Sequence, residues 1–251
     1  MNITDQLLGT VQRDAPVRTI LVGAFWTLVV LDSDPVCAGL SSTLRAETGG
    51  PWPPVPEAGR LRSRSGRELA DLLHSDRLIE ASIGMATLNA LLDLGRPAEQ
   101  AAALTEANAE EILIEKGTGR RVAVVGHFPF VDRLRERAAE CTVLELRPQP
   151  GDVPADRADE VLPHVDVVAL TGTSLLNHTF TNLISLCSPG AFVVVLGPST
   201  PLSPVLFNAG AGAISGTVVA DPARVFDSVG QGATFRQVKR HGGVRLLTWE
   251  R

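Results

Sequence analysis

Tyrosine is missing from this 251-residue chain, and lysine occurs twice, as Lys116 and Lys239, against 21 arginines. Cysteines number three, and aromatic residues make up 4% of the chain. Each shortage removes a class of chemistry. Without tyrosine no mechanism can use a phenol as proton donor, which excludes the short-chain dehydrogenase arrangement. Neither lysine stands in a phosphate-loop or Schiff-base motif. Cys37, Cys141 and Cys187 are scattered and odd in number, so neither a disulfide framework nor a cysteine-rich zinc site follows from them. No apolar run reaches the ~18–20 residues of a membrane span. The opening MNITDQLLGTVQRD lacks the basic head and apolar stretch of a secretory signal, so a cytoplasmic protein is expected. A net charge of −5 provides no basic face for displacing counterions from a nucleic acid. If the chain self-associates, a homodimer is the expected assembly.

What is present divides near residue 96. An amphipathic helix is expected over 4–13, followed by β-rich runs at 17–22, 25–31 and 36–40 whose short connections suit antiparallel neighbours. After an irregular stretch at 46–64, Ser65 and Glu68 fit a capping box. A second helix over 78–94 stops at Gly95-Arg96-Pro97. Residues 1–96 thus read as a small α+β domain. From 97 onward apolar strands (121–125, 142–146, 166–170, 191–196, 213–219 and 244–249) alternate with helices (130–139, 156–162, 174–187, 203–208 and 222–229). That alternation predicts an α/β domain over 97–251 with a parallel sheet covered on both faces, and ligands sit at the carboxyl edge of such sheets.

Four strand ends carry residues suited to a ligand. The strand 121–125 runs into Gly126-His127-Phe128-Pro129-Phe130, where bulky Phe128 and Phe130 occupy the places of the further glycines that a dinucleotide's pyrophosphate requires. Glu145 follows at the end of the next strand, where a carboxylate either accepts both ribose hydroxyls of a nucleoside or is simply solvated. Thr171, Gly172, Thr173, Ser174 and Asn177 close the third strand, and Gly197, Ser199 and Thr200 the fourth. Their hydroxyls and N–H groups, expected at helix starts, either cap those helices or receive an anionic group. Two such clusters facing one crevice favour a site. His127 and His178 fall at the same edge, without the spacing of a metal motif, so no metal ligand is assigned. Gly84 within the second helix permits close approach of a neighbour, and Asn89 is either a structural hydrogen-bonder or a residue reaching the cleft. Glu47 and Glu80 are further acid–base candidates.

Val125–Phe130, Thr171-Gly172-Thr173 with Asn177-His178-Thr179, and Leu196–Pro201 together resemble the family described as "putative heavy-metal chelation", formerly a domain of unknown function. Gly39–Thr43 and Ile83–Asn89 extend the resemblance over nearly the whole chain. It implies an enolase-N-like first domain joined to a Rossmann-like second one, with the site in the cleft between them. The residues themselves lead to a small-molecule enzyme binding S-adenosylmethionine or a close nucleoside relative. Gly126 and Phe128 are expected at the adenosine, Glu145 at the ribose, and the Thr171–Ser174 and Gly197–Thr200 loops at the amino-acid end. Ser41, Ser42, Thr43 and Asn89 are expected from the first domain on the substrate side, with His127, His178 or Glu80 as base. Methyl transfer is one outcome, and cyclisation or cleavage of the cofactor with release of methylthioadenosine is another. The alternative is a non-catalytic protein that binds heavy metals or metallophores.

Overall fold

A computed structural model of the chain describes residues 2–46 and 49–251. Glu47 lies outside the described residues. The first half runs α1 (Ile3–Gly9), β1 (Val17–Val22), β2 (Trp26–Leu31), β3 (Ala38–Ser42), α2 (Gly66–Ala70) and α3 (Leu78–Leu94). Next come α4 (Ala98–Ala103), α5 (Ala109–Gly117), β4 (Arg121–Val125), α6 (Val131–Arg135), β5 (Glu140–Glu145), β6 (Val153–Pro154) and α7 (Ala158–Val161). The chain finishes with β7 (Val167–Thr171), α8 (Phe180–Leu186), β8 (Phe192–Leu196), α9 (Val205–Asn208), β9 (Ala213–Val219), α10 (Pro222–Gly230), α11 (Phe235–Arg240) and β10 (Val244–Glu250).

Strands β1, β2 and β3 form the expected antiparallel meander, in registers such as Ile20↔Val29 and Leu28↔Leu40. Against it lies α3, whose small and apolar residues from Ala81 to Leu91 are buried on every side. Gly84 makes this possible: a Cβ there would stand 2.2 Å from the backbone nitrogen of Leu73. Its role is therefore close packing. Ser65 and Glu68 form the capping box that opens α2.

The second sheet has the order β10-β9-β8-β7-β4-β5-β6. All its pairings are parallel except β10 on β9. From β6 to β9 the sheet is a doubly wound one. The chain leaves β4 towards β5 on one side and returns to β7 on the other, so the switch point lies between β4 and β7. A buried layer runs through both halves. Leu28, Val30 and Leu40 of the meander pack in one cluster with Val219, Val225, Val229 and Val238.

Several expected elements end differently. The helix expected over 4–13 stops at Gly9, because Thr10 caps it by bonding back to Leu7 O through both its N–H and its hydroxyl. The helix expected over 130–139 closes at Arg135, and β5 starts earlier, at Glu140. The helix expected over 174–187 is two pieces: a 3₁₀ turn over Gly172–Leu175, and α8. His178 breaks it with φ 60°, and Asn177 Oδ1 accepts from both the N–H and the hydroxyl of Thr179, a side-chain bond that competes with helix propagation. The loop after β8 leads to no immediate helix, since α9 begins only at Val205. The sequence reading did not foresee β6 or α11.

Candidate functional site

At the switch point β4 turns through Gly126 at φ 99° and β8 through Gly197 at φ 117°, backbone conformations that residues with a Cβ rarely adopt. The Phe128 ring reaches the space beside both glycines and stacks on Phe130, with centroids 5.1 Å apart and planes inclined by 16°. Around these residues opens a trough of about 1210 Å³, large for a site taking one small ligand. Gly126, His127, Phe128, Glu145, Thr171 and Gly172 line it, together with Thr173, Ser174, Asn177, Gly197 and Ser199. Among the described residues of the first half, Trp26 and Ser42 alone line it, so the trough belongs to the carboxyl edge of the larger sheet and touches the meander on one side.

The half-buried Glu145 is held by its own turn: Oε1 accepts from the N–H of Leu146 at 2.8 Å and of Arg147 at 3.4 Å. His127 is held as well. Its Nε2 lies 2.7 Å from Asp152 Oδ2, and that carboxylate also accepts from Gln149 N at 2.9 Å. The Asp152 side chain is 2% exposed, and Arg135 stands 3.8 Å away. The Gln149 N–H above all, then the bond to His127, holds the Asp152 carboxyl below its ordinary range. An ionised Asp152 therefore orients the His127 ring at the trough wall. Asp152 was missed by sequence reading, because it sits 25 residues from its partner in a loop without a motif.

Other candidates are spent on structure. Ser41 donates to Ser82 O at 2.6 Å, Thr43 shares a 2.8 Å hydrogen bond with Thr27, and Asn89 donates to Leu40 O at 3.0 Å. Glu80, 9% exposed, accepts from Ser75. His178 Nε2 lies 3.2 Å from Ser75 O, and neither His178 nor Glu80 lines the trough. Thr200 lines a separate cavity of about 10 Å³ beside Asn89, Asp93 and Arg96. Ser199 reaches the trough yet also ties the halves together, its hydroxyl accepting from Ser42 N at 2.8 Å and donating to Ser42 Oγ at 3.1 Å. The structure thus does not gather the three expected bases at one place; His127 alone is in the trough.

Glu110, also on the lining, pairs with Arg133 of α6, and at the far end of the trough Glu106 pairs with Arg245 of β10. Arg236 and Lys239 of α11 stand there too, one turn apart and exposed. Trp26 and Phe235 form the wall, with rings 5.3 Å apart. Sequence reading overlooked this end, although Thr234 and Gln237 offer the capping pattern that starts α11.

A directly bound heavy metal fits these residues poorly. Among the described residues, no group of three or more His, Cys, Asp or Glu could hold a metal ion. Soft metals want thiolates, and burial pushes all three thiols up, Cys187 to about 11. No helix among the described residues is long and apolar enough to cross a membrane.

Fold and trough define a two-sheet α/β protein whose doubly wound sheet carries a ligand-sized hollow at its switch point. The chain belongs to the family described as "putative heavy-metal chelation": residues 108–248 match its DUF364 profile, and residues 4–92 match DUF4213, which bears the same description. A crystal structure of a DUF364-family protein of unknown function from Desulfitobacterium hafniense is 25% identical, with a TM-score of 0.84 over 99% of this chain and 98% of that one. A second, from Pyrococcus horikoshii, is 18% identical with a TM-score of 0.80 over 99% and 98% of the two chains, and shares the fold. An uncharacterized protein of Methanocaldococcus jannaschii is 26% identical over 149 residues, 56% of this chain. The match spans about half the length of that curated relative, 55%.

Proposed function

We propose that the trough binds a nucleoside-bearing small molecule of the S-adenosylmethionine class, and that the protein acts on it as an enzyme. The observation that carries this reading is the pair Gly126 and Glu145, which close neighbouring parallel strands β4 and β5 beside the switch point and line the same hollow. Glu145, held by two backbone N–H groups, accepts from the ribose hydroxyls in this reading. Phe128 offers a ring face to the base. Thr171 and Thr173, whose hydroxyls lie 2.9 Å apart, meet the polar end of the ligand. His127, steered by Asp152, is the proton-transfer group within the trough. Bound S-adenosylmethionine supplies carbons made electrophilic by the adjacent sulfonium. Whether a second molecule or the ligand's own amino-acid part attacks them decides between transfer and cyclisation or cleavage.

The family description favours a second reading, a protein that binds heavy metals without turnover. Given the donors present, the metal would enter the trough already held by a small chelator. A thermal-shift panel separates the two. S-adenosylmethionine or methylthioadenosine at a hundredfold its Kd adds about 2.7 kcal/mol to stability. That raises Tm by roughly 5–10 °C for a chain of this size. Glu145→Ala removes the rise. A response to divalent cations or their chelates alone, with none to nucleosides, overturns the enzyme reading. Mass spectrometry then tells S-adenosylhomocysteine from methylthioadenosine among the products.

A further inference from the structure

The trough is chemically two-ended. Glu145 and Asp156 lie towards β5, whereas α11 packs on β10 at the opposite side. Four to five strand spacings separate those ends, about 19–24 Å. A nucleoside gripped at Glu145 leaves the α11 end open.

The charges at that end do not balance. Its acid, Glu106, is already neutralised by Arg245 at 3.0 Å. Arg236 and Lys239 lie one turn apart on the same face of α11 and line the trough, and among the described residues neither side chain has an ion pair or hydrogen bond. Trp26 and Phe235, with rings 5.3 Å apart, form the adjoining wall. Two uncommitted cations beside an aromatic wall are the complement of a small, partly apolar anion. Two cations on a chain of net charge −5 are too few for a nucleic-acid backbone.

We propose that the α11 end is a second binding subsite, in which Arg236 and Lys239 take the carboxylate or phosphate group of a molecule bound alongside the first ligand. The inference rests on the trough being a ligand site, and it deepens the enzyme reading by naming the class of the second substrate, an organic anion.

Isothermal titration calorimetry of the full chain at low ionic strength, with citrate and with inorganic pyrophosphate as probes, tests it. At least one probe binds with Kd tighter than ~10 mM. The R236Q/K239Q variant, altered only at exposed positions, loses about tenfold or more of that affinity and still binds methylthioadenosine as the parent does. Glu145→Ala does the converse, losing methylthioadenosine and keeping the anion. Loss of nucleoside binding from every form, with anion binding intact in the parent, refutes the nucleoside reading and leaves the subsite standing. The subsite is overturned if neither probe binds, or if R236Q/K239Q binds both as tightly as the parent.

Discussion

Gly39→Ala probes the contact on which the first half is built. A Cβ at residue 39 would sit 2.0 Å from the carbonyl oxygen of Ala86, 2.5 Å from the nitrogen of Ala90 and 3.0 Å from the Asn89 Cβ. An ordinary carbon–oxygen approach is about 3.3 Å, so strand and helix must separate by about 1.3 Å. The two nearest atoms are main chain, and α3 is packed on every side, so no side chain can swing away to make room. Overpacking usually costs about 1–3 kcal/mol, and a clash with main chain belongs at or above the top of that range. Differential scanning calorimetry should therefore show Tm lower by about 6–12 °C. Gly190→Ala, where a Cβ meets nothing within 4 Å, serves as the silent control. Displacing β3 also draws Ser42 from Ser199, both of which line the trough. A Gly39→Ala protein melting within about 2 °C of the control would refute the claim that β3 and α3 meet backbone to backbone.

Two further outcomes follow from buried charge and buried sulfur. Arg96, 8% exposed, has Asp93 3.7 Å away and donates to Leu202 O; burial lowers its pKa and raises that of Asp93. Asp93→Ala leaves the guanidinium unpaired and should cost about 3 kcal/mol in urea unfolding, the low end for a buried pair because Asp93 is 27% exposed. An apolar double replacement, Asp93→Leu with Arg96→Met, should recover most of it, and equal losses in both variants would contradict the assignment. With its pKa near 11, Cys187 is thiolate to the extent of about one part in a thousand at pH 8. Iodoacetamide labelling of the folded protein should be slow at pH 8 and accelerate as pH rises towards 11, as followed by peptide mass spectrometry. Rapid modification of Cys187 at pH 8 would show that the thiol is not desolvated.

Local signals made much of the fold legible. Arg121–Val125 and Leu78–Leu94 fall where the residues placed them, because a five-residue apolar run and the breaker Gly95-Arg96-Pro97 state their limits within the segment itself. Strand-end residues such as Gly126, Glu145 and Thr171 were legible for a related reason: in a doubly wound sheet the sequence position after a strand is also a position in space. Polar residues within elements were not. Ser41, Thr43 and Asn89 look like donors awaiting a ligand, yet each is consumed by packing, and nothing in residue type reveals the direction of a side chain. His178 and Glu80 failed to join His127 because a left-handed residue and a serine bond fix them elsewhere. Arg236 and Lys239 were hidden in a six-residue helix too short for periodicity to register.

The cluster joining Leu28, Val30 and Leu40 to Val219, Val225, Val229 and Val238 has a consequence for how this architecture can change. Cut at residue 97, the later portion would present the latter four valines to water, and the earlier portion its three partners. The seam that two family profiles draw through the chain is therefore a poor place to recombine it. Exchanging one portion between relatives means exchanging both sides of that shared surface together.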